Sequence, residues 1–160
     1  MQPTGSVLKR AAAVRRVRAR GRYVDQEILN LRAGLSHGYA APQILVRGVL
    51  IQLDDILATA PTQSPFASPS TCDSTPAFRA ALSHDLGASL YPAMRRYRDF
   101  LRGEYLSRAR TTLGVSVLPN GQACYAATVR LHTSLELSAD SIHRLGLAEI
   151  ARLDTEMRGG

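Results

Sequence analysis

The residues best equipped for chemistry sit close together in the chain: Tyr125, Arg130, His132 and Thr133. An arginine can grip a carboxylate through two parallel N–H bonds, and tyrosine or histidine can hydrogen-bond a peptide group. Spacing supplies a rival reading. On a helix, Tyr125, Val129 and His132 stand at i, i+4 and i+7, so they share one face. A shared face of that composition points to core packing with satisfied polar tips.

The four histidines, His37, His84, His132 and His143, bear on metal-assisted hydrolysis. A zinc hydrolase of the H-E-x-x-H kind holds its ion with two imidazoles one helical turn apart. The intervening glutamate takes a proton from the bound water. No histidine here is followed by glutamate, and no two are four residues apart. His132 and Glu136 have the right separation, but the chain at Leu135 to Ser138 reads as leaving the helix. Nor is there a G-x-S-x-G around a nucleophile. Cys72 and Cys124 lie far apart without a C-x-x-C pattern and read as free thiols. The expectation is therefore no catalytic residue, no metal ligand and no cofactor in this chain itself.

The elements that must position these residues read as helices. Leu118-Pro119-Asn120-Gly121 is a turn, followed by a helix from about Gln122. Ser138 is a suitable N-cap for a further helix, with Asp140 near its positive end and Ile142, Gly146, Ile150, Leu153 and Met157 as its apolar stripe. Upstream, Val14, Val17, Gly21, Val24, Ile28, Leu31 and Leu35 alternate spacings of three and four, which predicts one long helix from near Ser6 to Gly34 or Leu35, with Gly34 suited to a left-handed C-cap. A second helix starts at Pro42 and runs to about Ala58. Leu45, Val49, Leu53 and Ile56 mark its face, widened by Ile44, Ile51 and Leu57 as if several neighbours buried it.

Residues 60–74, with Pro61, Pro65 and Pro69 among Ser and Thr, read as an extended linker pinned by Phe66. Thr75-Pro76 opens a long third helix reaching about Thr112, with Met94, Tyr97, Leu101 and Tyr105 as a stripe. Pro92 predicts a kink within it. The fold class is all-α: an array of about five helices, the third long and kinked, in one domain over 1–160.

Several of these pieces together resemble the bacterial domain-of-unknown-function family 885. The residues are Pro119, Gly121, Tyr125, then Arg130, His132, Thr133, then Ser138, Ile142, His143, Leu145 and Gly146. The likeness extends upstream through 22–27, 34–42, 64–69 and 97–105, so it covers nearly the whole chain. Members of that family resemble helical zinc metallopeptidases, distantly similar to gluzincin carboxypeptidases and dipeptidases. The resemblance implies zinc in an intact member, bound by a motif later in a chain several times longer. It makes this chain a non-catalytic N-terminal helical part that scaffolds or covers a peptide cleft, from a truncated frame or an excised fragment. Tyr125, Arg130, His132 and Thr133 are then the residues that line the groove. The implied partners are the remainder of the parent polypeptide, or another helical chain, and a peptide substrate.

Charge narrows the alternatives. The 160 residues carry a net charge of +7, all of it contributed before Asp25 by Lys9, Arg10, Arg15, Arg16, Arg18, Arg20 and Arg22. The rest of the chain is neutral, so a nucleic-acid or membrane-surface role can rest only on the basic start of the first helix, 1–22. That is the weaker alternative; a stand-alone helical interaction module is the stronger one. No apolar run is long enough to span a membrane. The start lacks the apolar stretch of a signal peptide. The expected location is cytoplasmic as the sequence stands, or exported if an upstream segment precedes it.

Overall fold

Ser6, in extended conformation, accepts a hydrogen bond on its side chain from the Lys9 backbone N–H and so opens helix α1, Val7–Ser36. A computed structural model describes residues 4–159, and the chain divides into two compact units, Met1–Thr111 and Thr112–Gly160. Among the described residues there is no β-strand, and the fold is all-α. No helix among them is long and apolar enough to cross a membrane.

In the first unit, α1 buries Ala13, Val17, Gly21, Ile28 and Leu35. It runs to Ser36, just past the Gly34 or Leu35 where its sequence suggests an end, and Gly34 is not its left-handed cap. His37 closes it, donating its backbone N–H to Ala33 and Gly34 carbonyls, and the left-handed residue is Gly38, φ 82°. Gly34 is instead pressed against the Tyr39 carbonyl, where a Cβ would approach to 3.3 Å. Helix α2, Gln43–Ala58, buries Val46, Leu50 and Leu53. Of the expected face, Leu53 is buried and Val49, Ile56 and Leu57 pack against the core, so the face is widened toward Val46 and Leu50. Ile44, Leu45 and Ile51 stay exposed. A helix apolar nearly all round offers no unique face from pattern alone.

The linker is folded rather than extended. Pro61–Gln63 and Pro65–Ala67 are 3-10 turns, and Ser68–Thr71 is a single α turn, α3. Proline suits the first turn of each, where its missing N–H is not needed. Phe66 does pin the segment: it packs against the core beneath the Arg20 guanidinium, 5.8 Å from the ring centroid.

The long third helix is one helical rod with two π turns. Helix α4, Pro76–Asp85, passes through a π turn at Leu86–Leu90 into α5, Tyr91–Phe100. A second π turn, Leu101–Tyr105, and a 3-10 turn, Leu106–Arg108, end it. Buried Phe78, Leu82, Leu86, Leu90 and Met94 recur every four residues. In an unbroken α-helix a four-residue repeat drifts about 40° per step. The looser turn at Leu86–Leu90, where Tyr91 N–H bonds the Leu86 carbonyl, takes up that drift. It also lies immediately before Pro92, whose absent N–H leaves the ladder short there.

The core joins α1, α2, the linker and the rod. Ser89 donates its hydroxyl to the Arg18 carbonyl at 3.1 Å where α1 crosses the first π turn. A Cβ at Gly21 would lie 2.5 Å from the Ser89 hydroxyl and 3.1 Å from its carbonyl oxygen, so any larger residue there forces Ser89 to shift. The loop between α1 and α2 is tied to the rod's end: Ala41 N–H donates to the Tyr105 hydroxyl at 2.9 Å, and Gln43 N–H to the Arg110 carbonyl at 2.8 Å. Ion pairs cross between elements at Arg10–Asp73, Arg18–Asp85, Arg96–Asp25 and Arg32–Glu104. Arg98 and Arg102, a like-charge pair one turn apart, both face Asp54 of α2.

The second unit comprises a 3-10 turn, Val115–Val117, then α6, Gly121–Thr133, and α7, Ala139–Gly159. Asn120 adopts the left-handed conformation, φ 55°, that the turn before α6 requires. Ser138 accepts a hydrogen bond from Ser141 N–H at 3.1 Å, the capping bond expected at the start of α7.

Candidate functional site

The second unit holds an open cavity of about 610 Å³ between the 3-10 turn, the start of α6 and the start of α7. Tyr125 and Gln122 reach it from α6, Ser116 from the turn, and Ser138 and Asp140 from the head of α7. Gly121 sets the wall: a Cβ there would meet the Val115 carbonyl oxygen at 2.0 Å, so the turn can lie directly on the helix. The polar groups around the opening are a phenol, an amide, hydroxyls and one carboxylate. They suit hydrogen bonding to an amide-rich ligand, and the carboxylate adds a preference for a positive group.

The four sequence candidates are only partly assembled. Tyr125 lines the cavity and is 46% exposed. Arg130 is not among its lining residues. Five positions along α6 from Tyr125, it points well round the helix and bonds Glu136 at 2.8 Å. That hydrogen bond raises the Arg130 pKa, with the Coulombic attraction of Glu136 adding to it. Thr133 donates to the Val129 carbonyl at 2.8 Å and accepts from Leu135 N–H at 3.2 Å, so it serves the helix end. His132 is exposed. The core-packed reading of Tyr125 and His132 does not hold either, since Gly121 is the one buried residue of α6.

The donors do not fit a zinc site. Glu136, four residues beyond His132, is engaged by Arg130. Elsewhere His37 lies 2.7 Å from the Ala33 carbonyl through Nδ1. Among the described residues no three His, Cys, Asp or Glu side chains come together as a metal would require.

Gln122, Ser138 and Asp140 were missed as site residues by sequence reasoning. Ser138 and Asp140 were legible as helix-start residues, and a capped helix head beside a turn was the signal available. A smaller cavity of about 300 Å³ in the first unit, between Thr62, Ser70, Arg79 and Leu82, was likewise not legible. There Arg79 donates Nε–H to the Ser70 and Asp73 carbonyls at 3.1 and 2.9 Å.

The model of a family described as bacterial proteins of unknown function (DUF885) matches residues 1–159. The chain belongs to the DUF885 family. No curated protein matched the sequence. Among solved structures, the DUF885 chain is similar to one titled "the putative lipoprotein from Colwellia psychrerythraea", at 20% identity and a TM-score of 0.89. The match covers 98% of this chain and 28% of that one, so the DUF885 chain spans little more than a quarter of that structure's length. At this identity the likeness establishes the fold.

Proposed function

We propose that this chain is a non-catalytic helical scaffold from a larger zinc-metallopeptidase-like protein, and that its α6–α7 unit borders a peptide cleft. The observation that carries the reading is the apolar face of α7. Ile150 is 65% exposed, Leu153 46% and Met157 81%, with Leu145 and Leu147 also exposed. A run of large apolar side chains on that scale is an interaction surface rather than ordinary scatter. The charges beside it are already paired along the helix, Arg152 with Glu149 and Glu156, and Arg158 with Asp154. What α7 offers a partner is therefore mainly apolar area. The family membership and the larger size of the solved relative support a parent polypeptide as the partner. Tyr125 and the polar head of α7 are then the groups that meet the peptide, and zinc is held by residues outside this chain.

Co-expression with the complementary part of a longer DUF885 protein tests this. Co-purification is expected, and Ile150→Asp with Leu153→Asp is expected to abolish it while helical content is kept. The purified chain alone is expected to hydrolyse no peptide and to carry no stoichiometric zinc. Zinc-dependent hydrolysis by this chain, lost in His132→Ala, overturns the proposal. Capture by α7 of a helix from an unrelated chain, with none of the complementary part bound, favours the interaction-module reading.

A further inference from the structure

We infer that the outer face of α1 between Val7 and Tyr23 docks on an anionic membrane surface. Folding separates the cations of this segment. Arg10 and Arg18 turn toward the body of the first unit and pair with Asp73 at 2.7 Å and Asp85 at 3.1 Å. Arg20 lies over Phe66. Opposite the buried Ala13, Val17 and Gly21 stand Leu8, Arg15, Ala19 and Arg22, all exposed, flanked by exposed Lys9 and Tyr23. Residues 8, 15, 19 and 22 are spaced seven, four and three apart, so they form one stripe.

Two features of this stripe define its ligand. The first is the charge of Arg15 and Arg22, which no carboxylate among the described residues pairs. The sequence has no Asp or Glu before Asp25, which pairs with Arg96. The carboxylates packed beside this half of α1, Asp73 and Asp85, are taken by Arg10 and Arg18. A cationic face of this kind attracts an anionic surface over roughly a Debye length.

The second feature is apolar. Leu8 is 81% exposed and Val7 is also bare, at the same end as Lys9. The Tyr23 ring stands exposed at the other end, about 22 Å away along the axis. Aliphatic and aromatic groups interleaved with arginines suit the boundary between headgroups and acyl chains, where the cations extend to the phosphates. A nucleic acid would use the cations but give Leu8 and Val7 no apolar partner.

Co-sedimentation of the full chain with vesicles tests the inference. Binding is expected to vesicles of phosphatidylcholine containing about a third phosphatidylserine, and to be about tenfold weaker to pure phosphatidylcholine, with loss as salt rises. The double variant Arg15→Gln, Arg22→Gln is expected to lose about tenfold in affinity with its thermal melt unchanged. Leu8→Ser is expected to weaken vesicle binding severalfold and to leave binding to a DNA duplex unaltered. Retention of vesicle binding by the double variant overturns the inference. So does duplex DNA binding as tight as that of the anionic vesicles.

Discussion

The two units solve the same problem differently. In the first, Leu82, Leu86, Leu90, Tyr91 and Tyr105 are almost wholly shielded, and ion pairs join residues far apart in sequence, such as Arg18 with Asp85 and Arg102 with Asp54. In the second, the large side chains of α7 face outward, and every ion pair described links residues within six positions of each other. Short-range pairs hold a helix in shape but do not join helices to one another. The first unit thus carries its own stabilising interior, whereas the second is a set of locally stable helices with an apolar surface on offer.

Matched substitutions should separate them. The largest effect is expected from Leu86→Ala, which empties a fully enclosed site at the first π turn and should cost about 2–5 kcal/mol in denaturant unfolding. Ile150→Ala, the same loss of apolar bulk on α7, should change stability by no more than about 0.5 kcal/mol. Equal losses would erase the distinction. Next comes Gly21→Val. Its Cβ would lie 2.5 Å from the Ser89 hydroxyl and 3.1 Å from the Ser89 carbonyl oxygen, so about 1–3 kcal/mol of overpacking is expected in the same assay.

A smaller effect depends on pH. Hydrogen bonds from Arg10, then from Thr75 N–H, hold the Asp73 carboxyl well below the usual carboxylate range. A lowered carboxyl pKa contributes stability that is present above its unfolded value, about 3.9, and is lost as pH falls through the folded value. Asp73→Asn should therefore melt below the wild type at neutral pH, and the gap should narrow as pH drops below about 4. A gap that widens in acid would contradict the assignment. The smallest effect is expected from Arg130→Ala, which removes an exposed pair and should leave the melting temperature unchanged.

The helices on both sides of this contrast were legible in sequence, but the contrast itself was not. Ser138 announced the start of α7, Asn120 the turn before α6, and the stripe Met94, Tyr97, Leu101 and Tyr105 the inner side of the rod. These are local signals, set by capping chemistry and by spacing along one helix. The π turns were legible only in part. Pro92 predicted a kink, and a π turn lies directly before it; the four-residue recurrence from Phe78 to Met94 that goes with the looser winding emerges from the pattern of burial. Gly34 misled because two glycines compete to end α1, and only the close approach of Tyr39 shows which is spent on packing. For the candidate site, the sequence pointed to α6 yet mixed residues from different sides of it. Arg130 is claimed by Glu136, and no spacing rule foretells which acid an exposed arginine selects. Whether the stripe of α7 is covered cannot be read from periodicity, which describes a face and not what lies against it.

The two π turns also bear on how the chain tolerates changes of length. Each accommodates one residue more than an α turn would, so losing a single residue from Leu86–Leu90 would regularise the coil while keeping everything downstream in phase. The same deletion within Tyr91–Phe100 would rotate the following side chains by about 100° and carry Tyr105 away from the Ala41 amide. The rod is thus forgiving of a one-residue loss where it is wound most loosely, and intolerant of one a single turn further on.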